Sequence, residues 1–197
     1  MVKAIIFDLN GVFIKSPVLS ERFAKDFRIK NLVFLPALKK ILNKVRLPKA
    51  GPAYEYWRPY FKKWKVDLTR DEFYKYWFGA EKPVSEMISL AEKLKQKGLK
   101  IYILSNNFRE RSNYYGENFP FLKIFNKVYY SWQTGFRKPE KEAYLDLLRK
   151  NNLKPEECLF FDNSPKNVKT SKSLGIISYI FKNKKQVENI SGLHVKK

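Results

Sequence analysis

Five short apolar runs constrain this chain more than any other feature. KAIIFD (3–8), KIYILS (100–105), KVYYS (127–131), CLFFD (158–162) and IISYIF (176–181) recur along the sequence. Uninterrupted runs of this length, without polar alternation, mark strands buried on both faces. Helical patterns fill the gaps between them. SEMISLAEKLKQKG (85–98) puts Met87, Ile88, Ala91 and Leu94 on one face, with Gly98 suited to the C-terminal cap. EKEAYLDLLRKN (140–151) does the same with Ala143, Tyr144, Leu147 and Leu148, and PKNVKTSKSLG (165–175) also ends in glycine. Strands alternating with helices predict an α/β fold with a parallel sheet and right-handed crossovers. Ligands bind such sheets at the carboxyl ends of the strands. Asp8, Ser105 and Asp162 each close a predicted strand, so three distant parts of the chain bring polar groups to one edge.

Residues 15–83 break the rhythm. They hold no buried-strand pattern but several helical stretches, VFLPALKKILNKV (33–45) and TRDEFYKYWF (69–78) among them. Ser16-Pro17 and Lys82-Pro83 punctuate the two ends as hinges. This predicts a helical insert after the first strand, with residues 1–14 and 84–197 forming the core. The insert holds 17 lysines and arginines against 7 acids, so it carries a dense share of the net charge of +21.

A surface that basic attracts phosphate esters and polyanions. Spread along the chain, with no lysine- or arginine-rich tail, it reads first as solvated surface, and nucleic acid is not the expected partner. No apolar run approaches the ~18–20 residues of a membrane span, and the apolar start is short and interrupted by Asp8. A cytoplasmic chain without a membrane partner, monomeric or homodimeric, is expected. Cys158 and His194 are the single cysteine and histidine, which excludes a disulfide framework, cysteine-cluster zinc and histidine-pair metal sites, and disfavours a histidine-based triad. Carboxylates, hydroxyls, amides and lysines remain to carry chemistry.

Four motifs stand in order. They are FDLNGVF (7–13), ILSNN (103–107), RKPEKEAY (137–144) and FFDNSPKNV (160–168). Together they resemble the signatures of the haloacid dehalogenase (HAD) superfamily over nearly the whole chain, and the insert resembles its C1 helical cap. The resemblance implies a three-layer Rossmann-like core with a five-stranded parallel sheet. It also implies a hydrolase, a phosphatase acting on a small phosphorylated substrate. Asp8 would be the nucleophile, since a carboxylate at a strand end can attack phosphorus and split one hard displacement into two easier ones. Ser105, Asn106 and Lys138 would hold the phosphoryl oxygens. Asp8, the backbone oxygen of Asn10, Asp162 and Asn163 would hold Mg²⁺. Pro139 is expected in the first turn of the helix that follows Lys138.

Two positions depart from the family's pattern. The acid expected two residues after the nucleophile is Asn10, and an amide cannot exchange a proton near neutral pH. The second acid of the fourth motif is Asn163, which removes a negative charge from the expected metal site. Three readings stand side by side. One is a slow or specialised phosphatase for good leaving groups. A second is a degenerate fold acting as a binding or regulatory module. The third is a metal-independent 2-haloacid dehalogenase, for which Arg22 or Arg28 would hold the substrate carboxylate.

YEYWRPYFKKWK (54–65) places Trp57, Tyr60, Phe61 and Trp64 at helical spacing among basic residues. Core packing is the expected use, ahead of pocket lining or base stacking. Cys158 reads as an inert small hydrophobe, His194 as an exposed terminal residue, Asn167 as a brace for the fourth motif, and Ser164-Pro165 as a helix start.

Overall fold

The computed structural model describes residues 1–194. In chain order, β1 (Ala4–Phe7) and β2 (Ile14–Lys15) lead into α1 (Leu19–Phe27), α2 (Asn31–Val45), α3 (Ala53–Trp64) and α4 (Arg70–Phe78). There follow β3 (Lys82–Pro83), α5 (Ser85–Gln96), β4 (Lys100–Ser105), α6 (Arg109–Asn118), β5 (Lys127–Tyr130) and α7 (Ser131–Thr134). The chain closes through α8 (Lys141–Lys150), β6 (Cys158–Asp162), α9 (Pro165–Ser173), β7 (Ile177–Ile180) and α10 (Lys184–His194).

Five strands form one parallel sheet in the order β5-β4-β1-β6-β7. The apolar runs sit there because both faces are covered. Ile5, Phe7, Ile101, Ile103, Leu159 and Phe161 pack towards α5, α6 and α10. Their alternates Ala4, Ile6, Tyr102, Leu104 and Phe160 pack against α8 on the opposite face. The central position of β1 explains its complete burial. Order reverses at β1, with β4 on one side and β6 on the other, so a crevice opens at the carboxyl ends of these three strands.

The stretch between β2 and β3 is helical, and those two short strands pair antiparallel as a two-stranded neck. Lys15 lies opposite Lys82 and Ile14 opposite Pro83. The α1–α4 helices share their own apolar cluster around Phe23, Phe34, Trp57, Phe61, Phe73 and Trp77. Trp57 and Phe61 are buried in it, and their rings stack at 5.8 Å. The aromatic segment therefore packs a core, while Tyr60 and Trp64 rim it and Arg58, Lys62 and Lys63 face solvent. Thr69 caps α4 through a reciprocal box with Glu72. No helix among the described residues is long and apolar enough to cross a membrane.

Some expectations need correction. The β2–β3 neck and helices α1, α6, α7 and α10 were not foreseen. Pro139 does not open a helix. It follows Lys138 through a cis peptide bond, two residues before α8 starts at Lys141.

Candidate active site

β1 ends at Phe7, and Asp8 continues its line, with its N–H bonded to the carbonyl of Phe161 on β6. The chain then coils tightly. Phe13 and Ile14 both donate to the carbonyl of Leu9, and Gly11 donates to that of Ile14. Gly11 sits at φ +89, a region that other residues enter at a cost. A Cβ there would lie 2.1 Å from Nδ2 of Asn163. Gly11→Ala is therefore expected to cost about 1–3 kcal/mol. Gly98, at φ +86 with open space around it, is the control that isolates the steric part. Thermal denaturation of both variants checks this, and equal losses would show that the approach of Asn163 carries no weight.

Three charged groups meet at the strand ends. Nζ of Lys138 lies 2.8 Å from Oδ1 of Asp8 and 2.6 Å from Oδ2 of Asp162. The side chains of Lys138 and Asp162 are 2% and 0% exposed, whereas that of Asp8 is 13% exposed. Asp8 is thus the member that faces outward. Burial, reinforced by the charge of Asp162, raises the carboxyl of Asp8 above its ordinary value against the pull of Lys138. Burial alone would weaken the proton affinity of Lys138, but the two carboxylates outweigh it, so the ammonium is held more firmly than usual.

Asp162 has no oxygen to spare. The N–H of Ser164 donates to its Oδ1 at 2.8 Å, and Nδ2 of Asn167 donates to both of its oxygens at 3.0 Å. Asn167 is the brace foreseen for this loop. Asp162, expected among the metal ligands, anchors Lys138 in this structure.

Asn106, expected at the phosphoryl oxygens, is bonded to Lys138 here. Its Nδ2 donates to the carbonyl of Lys138 at 2.6 Å and its Oδ1 accepts from the N–H of Lys138 at 2.9 Å. Both amide atoms clamp the lysine's main chain, so Asn106 positions Lys138. Ser105 ends β4 beside β1 and is almost fully buried. Nδ2 of Asn163 donates to the carbonyl oxygen of Asn10 at 3.3 Å, so the fourth-motif loop lies against the first. Among the described residues, no three acidic, histidine or cysteine side chains converge on one point.

The side chain of Asn10 is held by Tyr115. Its Nδ2 donates to Oη of Tyr115 at 2.7 Å, and the Tyr115 hydroxyl donates to Oε2 of Glu81 at 2.6 Å. Glu81 forms a buried ion pair with Arg111, whose guanidinium also reaches Oγ of Ser16 at 3.2 Å. Ser16 and Glu81 flank the β2–β3 neck, so this network joins the Asp8 loop to the base of the helical stretch. Burial pushes the Tyr115 hydroxyl far up and keeps it neutral. Cys158 is pushed up to about 12, chiefly by burial, and is inert.

Sequence patterns missed Arg46, Arg111, Tyr115 and Glu81. Arg46, at the end of α2, looks like any of the insert's basic residues. Arg22 and Arg28, weighed above as holders of a substrate carboxylate, are placed as follows. The guanidinium of Arg22 bonds the carbonyl of Tyr76 and lies over its ring, and Arg28 ends α1 in a left-handed turn.

The family model for haloacid dehalogenase-like hydrolases matches residues 2–175. The chain belongs to this family of hydrolases. Its fold superposes on the HAD family enzyme bt-2542 of Bacteroides thetaiotaomicron with a TM-score of 0.82 and 25% identity, over 99% of both chains. That enzyme has also been crystallised with magnesium and inorganic phosphate. Among curated proteins, acyl-CoA dehydrogenase family member 10 of Mus musculus is 28% identical over 88% of this chain and 17% of its own length. The D-ribitol-5-phosphate phosphatase of the same Bacteroides species is 27% identical over 43% of this chain and 44% of its own. The matches thus span less than half the length of these two curated relatives.

Proposed function

We propose that the chain is a phosphoric monoester hydrolase working through an aspartyl-phosphate on Asp8. The observation that carries this reading is the unequal exposure of the Asp8–Lys138–Asp162 triangle. Asp162 is saturated and buried, Lys138 is locked between two carboxylates, and Asp8 alone opens outward. Such an arrangement spends one carboxylate on aiming the lysine and leaves the other for attack. An Asp8 oxygen bonds to phosphorus and the bond to the leaving oxygen breaks. Water then attacks the same phosphorus, releasing phosphate and restoring Asp8. Lys138 and Ser105 would hold the phosphoryl oxygens, with Asn106 and Asp162 fixing the lysine. Helices α1–α4 would act as a cap on the β2–β3 neck, excluding water and selecting substrate.

The relatives' use of magnesium supports Mg²⁺ here. Asp8, the Asn10 carbonyl and Asn163 lie on adjoining loops and offer the hard oxygen donors that the ion takes, once the Asn163 amide turns its oxygen inward. The fit is that of a site poor in negative charge: Asp8 and Asp162 are its two carboxylates, and both also hold Lys138. When bound, the ion would neutralise charge on the phosphoryl group.

Asn10 shapes the expected chemistry. The single proton of Tyr115 goes to Glu81, so its oxygen can only accept from position 10. An amide satisfies that need without supplying an acid. Leaving groups must therefore depart without proton donation. With Mg²⁺ and a series of aryl phosphates, wild-type kcat/KM should fall steeply as the leaving-group pKa rises. Asn10→Asp should flatten that slope, because a carboxylic acid here can exchange its bond to Tyr115 for one to the leaving oxygen and deliver a proton there, which an amide cannot do. A flat wild-type series, turnover that survives Asp8→Asn, or halide release from a 2-haloacid without metal would overturn the reading.

A further inference from the structure

A cavity of about 450 Å³ opens beside Lys138, lined by Asn43, Arg46, Leu47, Asn106, Arg137 and Glu140, among others. It joins the end of α2 to the loop before α8. Arg137 spans the junction, donating to the carbonyl of Asn43 at 3.1 Å and to Oε1 of Glu140 at 3.2 Å. Glu140, the one acid in this lining, is thereby paired. The ammonium of Lys138 is spent on Asp8 and Asp162. Arg46 is left over. Its Nε is buried with no hydrogen-bond partner among the described residues. Its charge is pressed by those of Arg111 and Arg137 and relieved by that of Asp8. A half-buried guanidinium with a buried Nε among like charges is unfavourable until an anion arrives.

We infer that this cavity is a second anion subsite, and that the substrate is a small phosphate ester carrying another acidic group, a carboxylate or a second phosphate, which Arg46 and Arg137 grip. This deepens the phosphoryl-transfer reading and rests on it. The planar fork of a guanidinium suits both kinds of acid group. The cavity lies within the usual ~300–1,000 Å³ of small-ligand sites. Desolvation, with Arg111 next, holds Arg46 down at about 10, which still leaves it cationic at neutral pH.

The test is calorimetric binding of ethylphosphonate, 3-phosphonopropionate and ethane-1,2-bisphosphonate to the whole chain with Mg²⁺. Wild type is expected to bind at least one of the two bifunctional probes more than ~10-fold tighter than ethylphosphonate. The arm that gains identifies the second group as carboxylate or phosphate. Arg46→Met should bring that preference near unity while ethylphosphonate affinity changes little, and Arg137→Gln should reduce it. Equal binding of all three to wild type, a comparison that needs no variant, overturns the subsite alone. So does a preference that survives in a folded Arg46→Met protein. If none of the phosphonates binds, the phosphoryl reading falls, and the subsite with it.

Discussion

Lys138→Met is expected to lower kcat/KM for an aryl phosphate by about 10²–10³-fold, because one fixed cation is lost from the reacting centre. It is also expected to cost about 3–5 kcal/mol of stability, since Asp8 and Asp162 would face each other with no charge between them. For a chain of this size that corresponds to a fall in melting temperature of roughly 6–20 °C. The wild-type acid limb should already lie above the usual aspartate value of about 4. Asp8 must be ionised to attack, so activity is lost as pH falls through that raised value. Removing Lys138 takes away the group that pulls Asp8 down, and the limb should move further up. Asp8→Asn/Lys138→Met should recover much of the lost stability, since one of the two unpaired carboxylates is gone. A single variant that melts within a degree or two of wild type would remove the triangle from the fold's support.

Glu81→Ala should be nearly as damaging to stability and for a related reason. Arg111 is buried between the rings of Trp77 and Tyr115, with its charge compensated by Glu81 alone among the acids of the described residues. Truncating that partner leaves a buried cation, again at about 3–5 kcal/mol. The Tyr115 hydroxyl loses its acceptor as well, and Asn10 loses the fixed oxygen to which it donates. Activity should therefore fall even in a folded variant, through the loop that carries Asp8. Replacing both charges, as Glu81→Leu/Arg111→Leu, should melt higher than Glu81→Ala, because no unpaired charge remains. If the double variant is no more stable than the single one, the ion pair is not what makes Glu81 necessary. Chemical denaturation with activity measured in parallel reads both effects.

Much of this architecture was legible from local pattern. KAIIFD and CLFFD read as buried strands because a residue covered on both faces has no use for polar alternation. The helical faces of 85–98 and 140–151 reproduce the buried sets almost residue for residue. Asn167 as a brace followed from its place in the fourth motif. The β2–β3 neck was not legible, because two residues per strand carry no periodicity. Nor was α6, whose RERSNYYGEN has almost no apolar side, and which is held by Tyr115 and the buried Arg111. The bonds that Asn106 and Asp162 make to Lys138 were not legible, since which group a side chain bonds depends on what lies opposite.

The sequence by itself determined the α/β class, the run of strands and the list of polar residues at the strand ends. Each of these follows from the covalent neighbours of a residue and the period of its burial. Only the tertiary structure decided that Asp162 holds Lys138, that Asn10 faces Tyr115 and Glu81, and that Nε of Arg46 is left without a hydrogen-bond partner among the described residues. Those facts arise between segments 24 to 130 residues apart, where pairing is set by distance in space and by exclusion of water. No local spacing encodes that.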